Sequence, residues 1–316
     1  MITRHINKML SNYSSHILLY HSTFSEIPAD LAAGIHNVSP EEIYQQINWL
    51  KNNFDVVSID ELFSITDVRG KAAITFDDAY KSLFAEALPI FETLNIPCTI
   101  FINGCTLDQR VFWRDKVRYI INNSLVDDFI VKNLDFCIEN KINVNNFYYQ
   151  TKHRSISSIT VDNLLDKYFQ NSGIDLDGIS YCIDNRDIFS ANDLVSYGSH
   201  SYSHYVMSSL TKEQQSREIL NNLDCFKKYD IKQSKVFSIP FGDESSFDAN
   251  TICLLEQHGY TGFLYSRNRL NSVSVRKHVE DSASSMLIGD RYMPKSTFSS
   301  FQTQILALNF RKLLGI

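Results

Sequence analysis

The sequence predicts an α/β fold with a largely parallel sheet or barrel. Short apolar runs rich in β-forming residues alternate with segments of helical periodicity, which is typical of this class. The chain has 316 residues, 44% of them hydrophobic, so it can bury the core of one large domain or two smaller ones. The predicted strands are residues 16–20, 72–76, 98–102, 236–239 and 262–265.

Two predicted helices have clear N-terminal signals. Ser39 is the N-cap of the first, and Glu42 is its capping-box partner. The second helix begins with the same kind of box, formed by Thr211 and Gln214. The apolar spacing of residues 298–314 predicts a further, terminal helix that packs on the sheet or barrel.

Residues 106–188 differ from the rest of the chain because they are rich in Asn, Asp, Ser and Lys. Helical segments at 112–125 and 161–169 interrupt this polar stretch. We interpret it as a helical insertion between the N-terminal part of the α/β unit, residues 1–105, and its C-terminal part, residues 189–316. Insertions in such folds shape substrate access, so we expect this one near the mouth of a site.

Charge and cysteine usage exclude several classes of protein. The net charge of -6 is spread along the chain without a basic run, so nucleic acid is not an expected partner. The six cysteines form no CxxC pair, which is typical of small apolar residues in a reducing compartment. No signal-peptide core is present at the N-terminus, and no apolar stretch reaches the roughly 18 residues of a membrane span. We therefore expect a cytoplasmic protein without a transmembrane segment.

Two adjacent carboxylates, Asp77 and Asp78, close the predicted strand at 72–76. Buried carboxylates are costly unless a cation compensates them, which points to a metal or another positive group at this strand end. Neighbouring residues project in different directions, so one carboxylate can bind a metal while the other acts as a general base. The alternative is a solvated Asp-Asp turn.

Two histidines, His200 and His204, lie four residues apart in the segment His-Ser-Tyr-Ser-His. Two imidazoles and one carboxylate leave a fourth coordination position open for water, which is the pattern of a catalytic zinc site. Ser201 and Ser203 can hydrogen-bond the ring nitrogens or the nearby backbone. A polar surface loop is the alternative. The combination with the acidic pair favours a metal-dependent hydrolase.

Three short segments, residues 75–78, 200–204 and 240–242, resemble in sequence and order the first three motifs of the NodB-type polysaccharide deacetylases, carbohydrate esterase family 4. They read Thr-Phe-Asp-Asp, His-Ser-Tyr-Ser-His and Pro-Phe-Gly. The resemblance extends from the first strand to about residue 265, with the helical insertion outside it. It implies a distorted (β/α) barrel with fewer than eight complete units and catalytic residues at the carboxyl ends of the strands.

The resemblance also implies a role for each motif residue. Asp77 is then the catalytic base, and Asp78, His200 and His204 are the ligands of one divalent metal ion, expected to be Zn²⁺. Such an ion polarises the acyl carbonyl and lowers the pKa of water that attacks it.

The third motif departs from the family pattern, which is Arg-x-Pro-Tyr-Gly and uses its arginine to orient the catalytic aspartate. Here Ser238 stands at the arginine position and Phe241 at the tyrosine position. Arg291 could supply the missing charge from a later segment, although a solvated surface arginine is an equal alternative. The predicted substrate-binding residues are Pro240, Phe241, Gly242 and Arg291, with the Phe241 N–H facing the developing oxyanion.

The family's last motif, Leu-x-His, is found at the N-terminal end of this chain as Leu19-Tyr20-His21. This resembles the circularly permuted relatives that deacetylate glucosamine exopolysaccharides. It implies that His21 is the general acid, which must be protonated at neutral pH; a nearby carboxylate would favour that state. A polar residue at a strand end is the alternative.

The expected reaction is removal of an N-acetyl group from a sugar or saccharide intermediate, nucleotide-linked or lipid-linked, in surface polysaccharide biosynthesis. Two alternatives remain open. One is a deformylase or other amide hydrolase on the same scaffold, and the other is a catalytically silent carbohydrate-binding relative. The missing arginine favours the silent relative, whereas the presence of Asp77, which is not needed to bind metal, favours an enzyme.

Overall fold

Two mostly parallel β-sheets form the centre of the protein in its computed structural model, which describes residues 13–184, 193–271, 276–277 and 285–314. The first sheet has the order β1-β3-β4-β5, with β2 paired to β3, and the second has the order β6-β7-β9-β8. All pairs are parallel except β8 with β9. The strands are β1 (His16–Tyr20), β2 (Asp55–Val56), β3 (Lys71–Phe76), β4 (Cys98–Ile102), β5 (Val195–Ser199), β6 (Val236–Ser238), β7 (Gly262–Tyr265), β8 (Arg276–Lys277) and β9 (Leu287–Asp290).

Backbone hydrogen bonds join the two sheets at both of their edges. At one edge the Leu19 N–H donates to the Tyr292 carbonyl, 2.9 Å away, and the Tyr292 N–H donates to Ile17. At the other edge the Ser234 N–H donates to the Tyr197 carbonyl at 2.7 Å. These short seams close a ring of strands with few hydrogen bonds at each join, so the predicted distorted (β/α) barrel is confirmed.

Helices cover the sheets and fill the connection between β4 and β5. Short 3-10 helices lie at Ala29–Leu31, Asp177–Ile179 and Met207–Ser209, and a π-helical turn lies at Leu83–Ala87. The α-helices are α1 (Pro40–Asn53), α2 (Ile59–Ser64), α3 (Leu88–Leu94), α4 (Gly104–Leu107), α5 (Trp113–Asn122), α6 (Val126–Lys132), α7 (Leu134–Glu139), α8 (Phe147–Gln150), α9 (Ser158–Ser172), α10 (Lys212–Lys228), α11 (Ala249–Gln257) and α12 (Phe298–Leu314).

All five predicted strands are present, but sequence patterns missed the two-residue strands β2 and β8 and the longer strands β5 and β9. Both β5 and β9 contain a glycine and polar side chains, which are poor strand formers in isolation. β5 is nevertheless paired with β4 along its whole length, and β9 is likewise paired with β7. Tertiary pairing therefore outweighed local propensity in both strands.

Of the two predicted capping boxes, one is present and the other is not. Thr211 and Gln214 form the complete reciprocal box at α10. Ser39 caps α1 by accepting from the Glu42 N–H, but the Glu42 carboxylate does not return to the cap and instead accepts from the Phe298 N–H at the start of α12. The predicted capping box of α1 is wrong because Glu42 binds the orphan donor of another helix.

α12 is the predicted terminal helix and packs on α1, where the rings of Trp49 and Phe301 lie 5.8 Å apart. The helices between β4 and β5 enclose a hydrophobic cluster of their own, which includes Trp113, Phe129 and Phe169. The limits 106–188 stay a prediction for this insertion. No helix in the described part of the chain has both the length and the apolar content of a membrane span.

Gly198 of β5 is required by the packing of the barrel interior. A Cβ at this position would lie 2.4 Å from a ring carbon of Phe101, its fully buried partner on β4. We expect Gly198→Ala to lower the free energy of unfolding by about 1–3 kcal/mol, because the buried ring has to shift. Urea denaturation measures this change. Gly178→Ala is the matched control, since its Cβ would meet nothing within 4 Å; equal losses in both variants would contradict the packing argument.

Candidate active site

Polar side chains from several strands meet at one edge of the barrel. Because parallel strands end at the same edge, residues that follow them converge although they lie far apart in the sequence. They line a cavity of about 440 Å³. The predicted site residues on its wall are His21 after β1, Asp77 and Asp78 after β3, His200 and His204 after β5, Phe241 after β6, and Arg291 after β9.

A buried ion pair joins Asp77 to Arg291. The two terminal guanidinium nitrogens each donate to one carboxylate oxygen at 2.8 Å, in a bidentate arrangement, and the Arg291 side chain is fully buried. The Ser238 hydroxyl lies 3.1 Å from both Asp77 oxygens and also accepts from Arg291. Ser238 therefore occupies the position of the motif arginine without its charge, and the charge comes from the segment after β9.

Opposing effects set the protonation state of Asp77. Burial by itself raises the pKa of this carboxyl, but the charge of Arg291, the neighbouring His200 and the Arg291 hydrogen bonds lower the pKa to about 2. Asp77 is therefore ionised at neutral pH, with the orientation of both oxygens fixed.

Asp78, His200 and His204 form a cluster whose geometry fits a divalent metal ion. The Asp78 Oδ1 atom lies 3.7 Å from His200 Nε2 and 3.5 Å from His204 Nε2, and all three residues are buried. Tetrahedral ligands with bonds of about 2.0–2.2 Å are separated by about 3.4 Å, so a zinc-sized ion fits between these atoms. His200 Nδ1 lies 2.8 Å from the Ser238 carbonyl, a contact that directs Nε2 towards the cluster.

The backbone and the charge of this cluster are both unusual for a purely structural set of residues. Asp78 and His204 have φ angles of 68° and 57°, in the left-handed region that non-glycine residues rarely adopt. Burial, followed by the charge of Asp77, raises the pKa of Asp78 to about 7 although Asn103 donates to it. A bound cation would favour the ionised carboxylate, so the donor set and its electrostatics agree with a metal site.

His21 lies on the cavity wall, with its ring 5.6 Å from that of His36. Its buried Nδ1 has no hydrogen-bond partner among the described residues. Burial, and then His36, lower the pKa of His21 well below the usual value, although Asp77 acts in the opposite direction. Asp77 is therefore the nearby carboxylate that favours protonation of His21, but burial has the larger effect on this pKa, and the role of His21 as general acid stays a prediction.

The predicted segment Pro240-Phe241-Gly242 makes a tight turn at the edge of the cavity. Phe241 and Gly242 both have positive φ angles, 64° and 66°. A Cβ on Gly242 would lie 2.7 Å from the Ser266 backbone nitrogen, which also donates to the Gly242 carbonyl. The turn directs the Phe241 ring against His204, with 4.6 Å between ring centroids. The role of the Phe241 N–H towards an oxyanion stays a prediction.

The helices between β4 and β5 supply a wall of the cavity that sequence reasoning did not identify. It consists of basic and aromatic residues, namely Phe112, Arg114, Arg118, Tyr148, Tyr149 and Lys152. Local patterns could not reveal this wall, because it exists only where the insertion folds back over the strand ends. The cavity shares Ile35, His36 and Met293 with a larger groove of about 1100 Å³ beside α12.

Comparisons with known proteins also find polysaccharide deacetylases. A family profile described as Polysaccharide deacetylase matches residues 187–263. A search by sequence among curated proteins finds no match. Among solved structures, IcaB from Ammonifex degensii is similar with a TM-score of 0.54 and 12% identity, over 94% of this chain and 97% of that one.

Two further structures share this fold. The deacetylase PplD from Streptococcus pyogenes, solved in complex with acetate, has a TM-score of 0.54 and 12% identity, over 93% of this chain and 97% of its own. A putative polysaccharide deacetylase from Bacillus anthracis has a TM-score of 0.54 and 14% identity, over 92% of this chain and 69% of its own. The profile match includes the histidine segment and the Pro-Phe-Gly segment, and the solved structures share the fold, so the resemblance to the NodB-type polysaccharide deacetylases seen in the motifs is confirmed.

Proposed function

We propose that this protein is a metal-dependent hydrolase that removes an N-acetyl group from a sugar or saccharide intermediate in surface polysaccharide biosynthesis. The family match supports deacetylation. The observation that carries the proposal is the juxtaposition, in one cavity, of an oriented carboxylate, Asp77, and a buried Asp78–His200–His204 cluster.

The cluster Asp78, His200 and His204 would hold one divalent ion, which we propose to be Zn²⁺. When bound, such an ion supplies a Lewis acid for the acyl carbonyl and lowers the pKa of water from about 15.7 to about 7. The fourth ligand position is left to water and substrate, because the described residues offer three protein ligands.

Asp77 is the proposed general base. Arg291 and Ser238 hold both of its oxygens, so the carboxylate meets the attacking water in a fixed orientation. Its low pKa keeps it ionised over the whole neutral range. Asp77 Oδ2 lies 3.4 Å from His200 Nε2, beside the proposed metal site. Both Asp77 oxygens already accept from Arg291, so Asp77 is not one of the three proposed ligands.

His21 is the proposed general acid, and the Phe241 N–H is the proposed donor to the oxyanion. His21 is neutral in the free cavity, but negative charge that develops on the acyl oxygen raises the pKa of a nearby imidazole. His21 then takes up a proton from solvent and gives it to the leaving amine as the C–N bond breaks. Tyr149, whose side chain is 71% exposed at the cavity wall, offers a surface for stacking on a sugar ring.

The pair Asp77–Arg291 also bears on the silent carbohydrate-binding alternative. That alternative depended on the loss of the motif arginine, and Arg291 supports the enzyme because it provides the same charge to the same carboxylate. A deformylase would use the same groups, so only the released acid separates it from a deacetylase.

Variants of Asp77 and His200 should separate metal binding from proton transfer. Asp77→Asn should keep Zn²⁺ but lose roughly 10²- to 10⁴-fold in kcat/KM, because the base is gone while the ligands remain. His200→Ala should lose both the bound Zn²⁺ and the activity. Metal analysis and acetate release from a panel of N-acetylated sugars measure the two effects, and circular dichroism verifies folding.

The control for these variants is wild-type protein after chelation and after return of Zn²⁺. Full activity of Asp77→Asn would contradict the proposed base. Release of formate rather than acetate would move the assignment to a deformylase, and Zn²⁺ retained in full by His200→Ala would contradict the proposed ligand set.

A further prediction concerns the pH dependence of the reaction. Arg291 lowers the pKa of Asp77, and a general base works only when it is ionised, so activity is lost as the pH falls through that pKa. Arg291→Met should raise the pKa of Asp77 and move the acid limb of the kcat/KM profile to higher pH.

Arg267→Met is the matched control, because Arg267 pairs with Asp290 and Glu244 rather than with Asp77. Its acid limb should coincide with that of wild type. An unchanged acid limb in folded Arg291→Met would show that Arg291 does not set the ionisation of the base.

A further inference from the structure

We propose that Arg114 and Lys152 of the helical insertion form an anion site that binds a phosphoryl group carried by the saccharide substrate. The proposal rests on the proposed function for the sugar itself, and it adds the chemical class of the group attached to that sugar. It concerns a part of the cavity that lies apart from the proposed metal ligands and base.

Arg114 is a buried cation that the protein satisfies only in part. Its side chain is 1% exposed, and its terminal nitrogens donate to the Thr151 hydroxyl at 3.2 Å and the Tyr148 carbonyl at 3.0 Å. The Nε atom is buried without any hydrogen-bond partner among the described residues. The guanidinium lies 4.7 Å from the centre of the Trp113 ring, so its position is held by stacking rather than by a carboxylate.

Lys152 adds a second positive charge on the same wall. Its ammonium lies 5.1 Å from the ring centres of both Tyr148 and Phe241. Within the described ranges, neither Lys152 nor Arg114 takes part in an ion pair, whereas the adjacent Arg118 is paired with Asp115 at 2.7 Å. Two cations of the cavity wall therefore have no ion-pair partner among the described residues, although the charge of Asp115 acts on Arg114 and that of Asp243 acts on Lys152.

Burial and the nearby positive charges shift the pKa values of Arg114, Lys152 and Tyr148. Burial lowers the pKa of Arg114 to about 10 and also lowers the pKa of Lys152. Burial alone would raise the pKa of Tyr148, but Arg114, Arg118 and Lys152 lower it to about 8. Partly buried cations without counter-ions are costly, and an anionic ligand removes that cost.

The position of the two cations relates the anion site to the reaction centre. The Phe241 ring lies 5.8 Å from the Arg114 guanidinium and 5.1 Å from the Lys152 ammonium. The same ring contacts His204, one of the proposed metal ligands. All four residues line one cavity, so a sugar with its acyl group at the metal ligands can direct a substituent towards the cations.

A phosphoryl group fits the two donors better than a carboxylate group does. Thr151 and Tyr148 already engage the terminal nitrogens of Arg114, so the paired fork that suits a planar carboxylate is partly occupied. Arg114 and Lys152 both line the cavity, and the unpartnered Arg114 Nε–H and the Lys152 ammonium are the two donors that we propose for the ligand. A tetrahedral group with several charged oxygens can accept from both. A nucleoside diphosphate and a lipid diphosphate both carry this group.

Calorimetric titration of the zinc-loaded protein tests the proposal without any need for turnover. The probes are a neutral N-acetylated amino sugar and the same sugar with an anomeric phosphate. We expect the phosphorylated probe to bind roughly 10- to 100-fold more tightly, which is the range of charge-assisted hydrogen bonds. Lys152→Met, and the conservative variant Arg114→Lys, should reduce this preference.

Two controls make the result specific. Lys167→Met removes an exposed lysine of α9 that does not line the cavity, and it should keep the full preference. His200→Ala disrupts the proposed metal site and should keep a preference that depends on Lys152. Equal binding of the two probes would overturn the proposal. A preference lost in His200→Ala but intact in Lys152→Met would also overturn it, since phosphate would then bind the metal.

The same titrations separate the two proposals and the two sources of phosphate. Equal acetate release from both probes, with no binding preference, would keep the deacetylase and overturn the anion site. A Lys152-dependent preference without acid release from either probe would keep the anion site and overturn the deacetylase. Tighter binding of a nucleoside-diphosphate sugar or of a prenyl-diphosphate sugar supports the anion site and identifies the carrier.

Discussion

The buried pair between Asp77 and Arg291 is the interaction on which the rest of the site depends. It joins the end of β3 in one sheet to the segment after β9 in the other, across a seam where the barrel closes with few backbone hydrogen bonds. Burial of either charge alone would cost several kcal/mol, because an unpaired ion loses its hydration. The contact that keeps the proposed base ionised therefore also joins the two sheets.

Electrostatic balance also organises the remainder of the cavity. Asp77 is neutralised within the protein, whereas Asp78 stands beside it with a raised pKa and two neutral histidines, a set that a divalent ion would complete. The wall formed by the insertion has the reverse imbalance, since Arg114 and Lys152 have no ion-pair partner among the described residues. A substrate that carries both a neutral amide and an anionic group would match this separation of charge.

Sequence patterns identified much of the fold and the chemistry of the site, and their errors have identifiable causes. The five predicted strands and the terminal helix are present because their apolar periodicity is a local property. Of the four missed strands, β2 and β8 are only two residues long, and partner strands rather than propensity stabilise β5 and β9. The pKa of His21 depends on its burial, on the neighbouring His36 and on Asp77, and no local pattern shows any of these contacts.

The sequence by itself determined which chemical groups are available and in what order, because the motifs of the acidic pair and the two histidines are short and contiguous. Only the tertiary structure decided which groups meet. Arg291 reaches Asp77 across 214 residues of chain, and the insertion brings Arg114 and Lys152 to the same cavity. Such contacts depend on how the barrel closes and how the insertion folds over it, and no local pattern of side chains encodes that geometry.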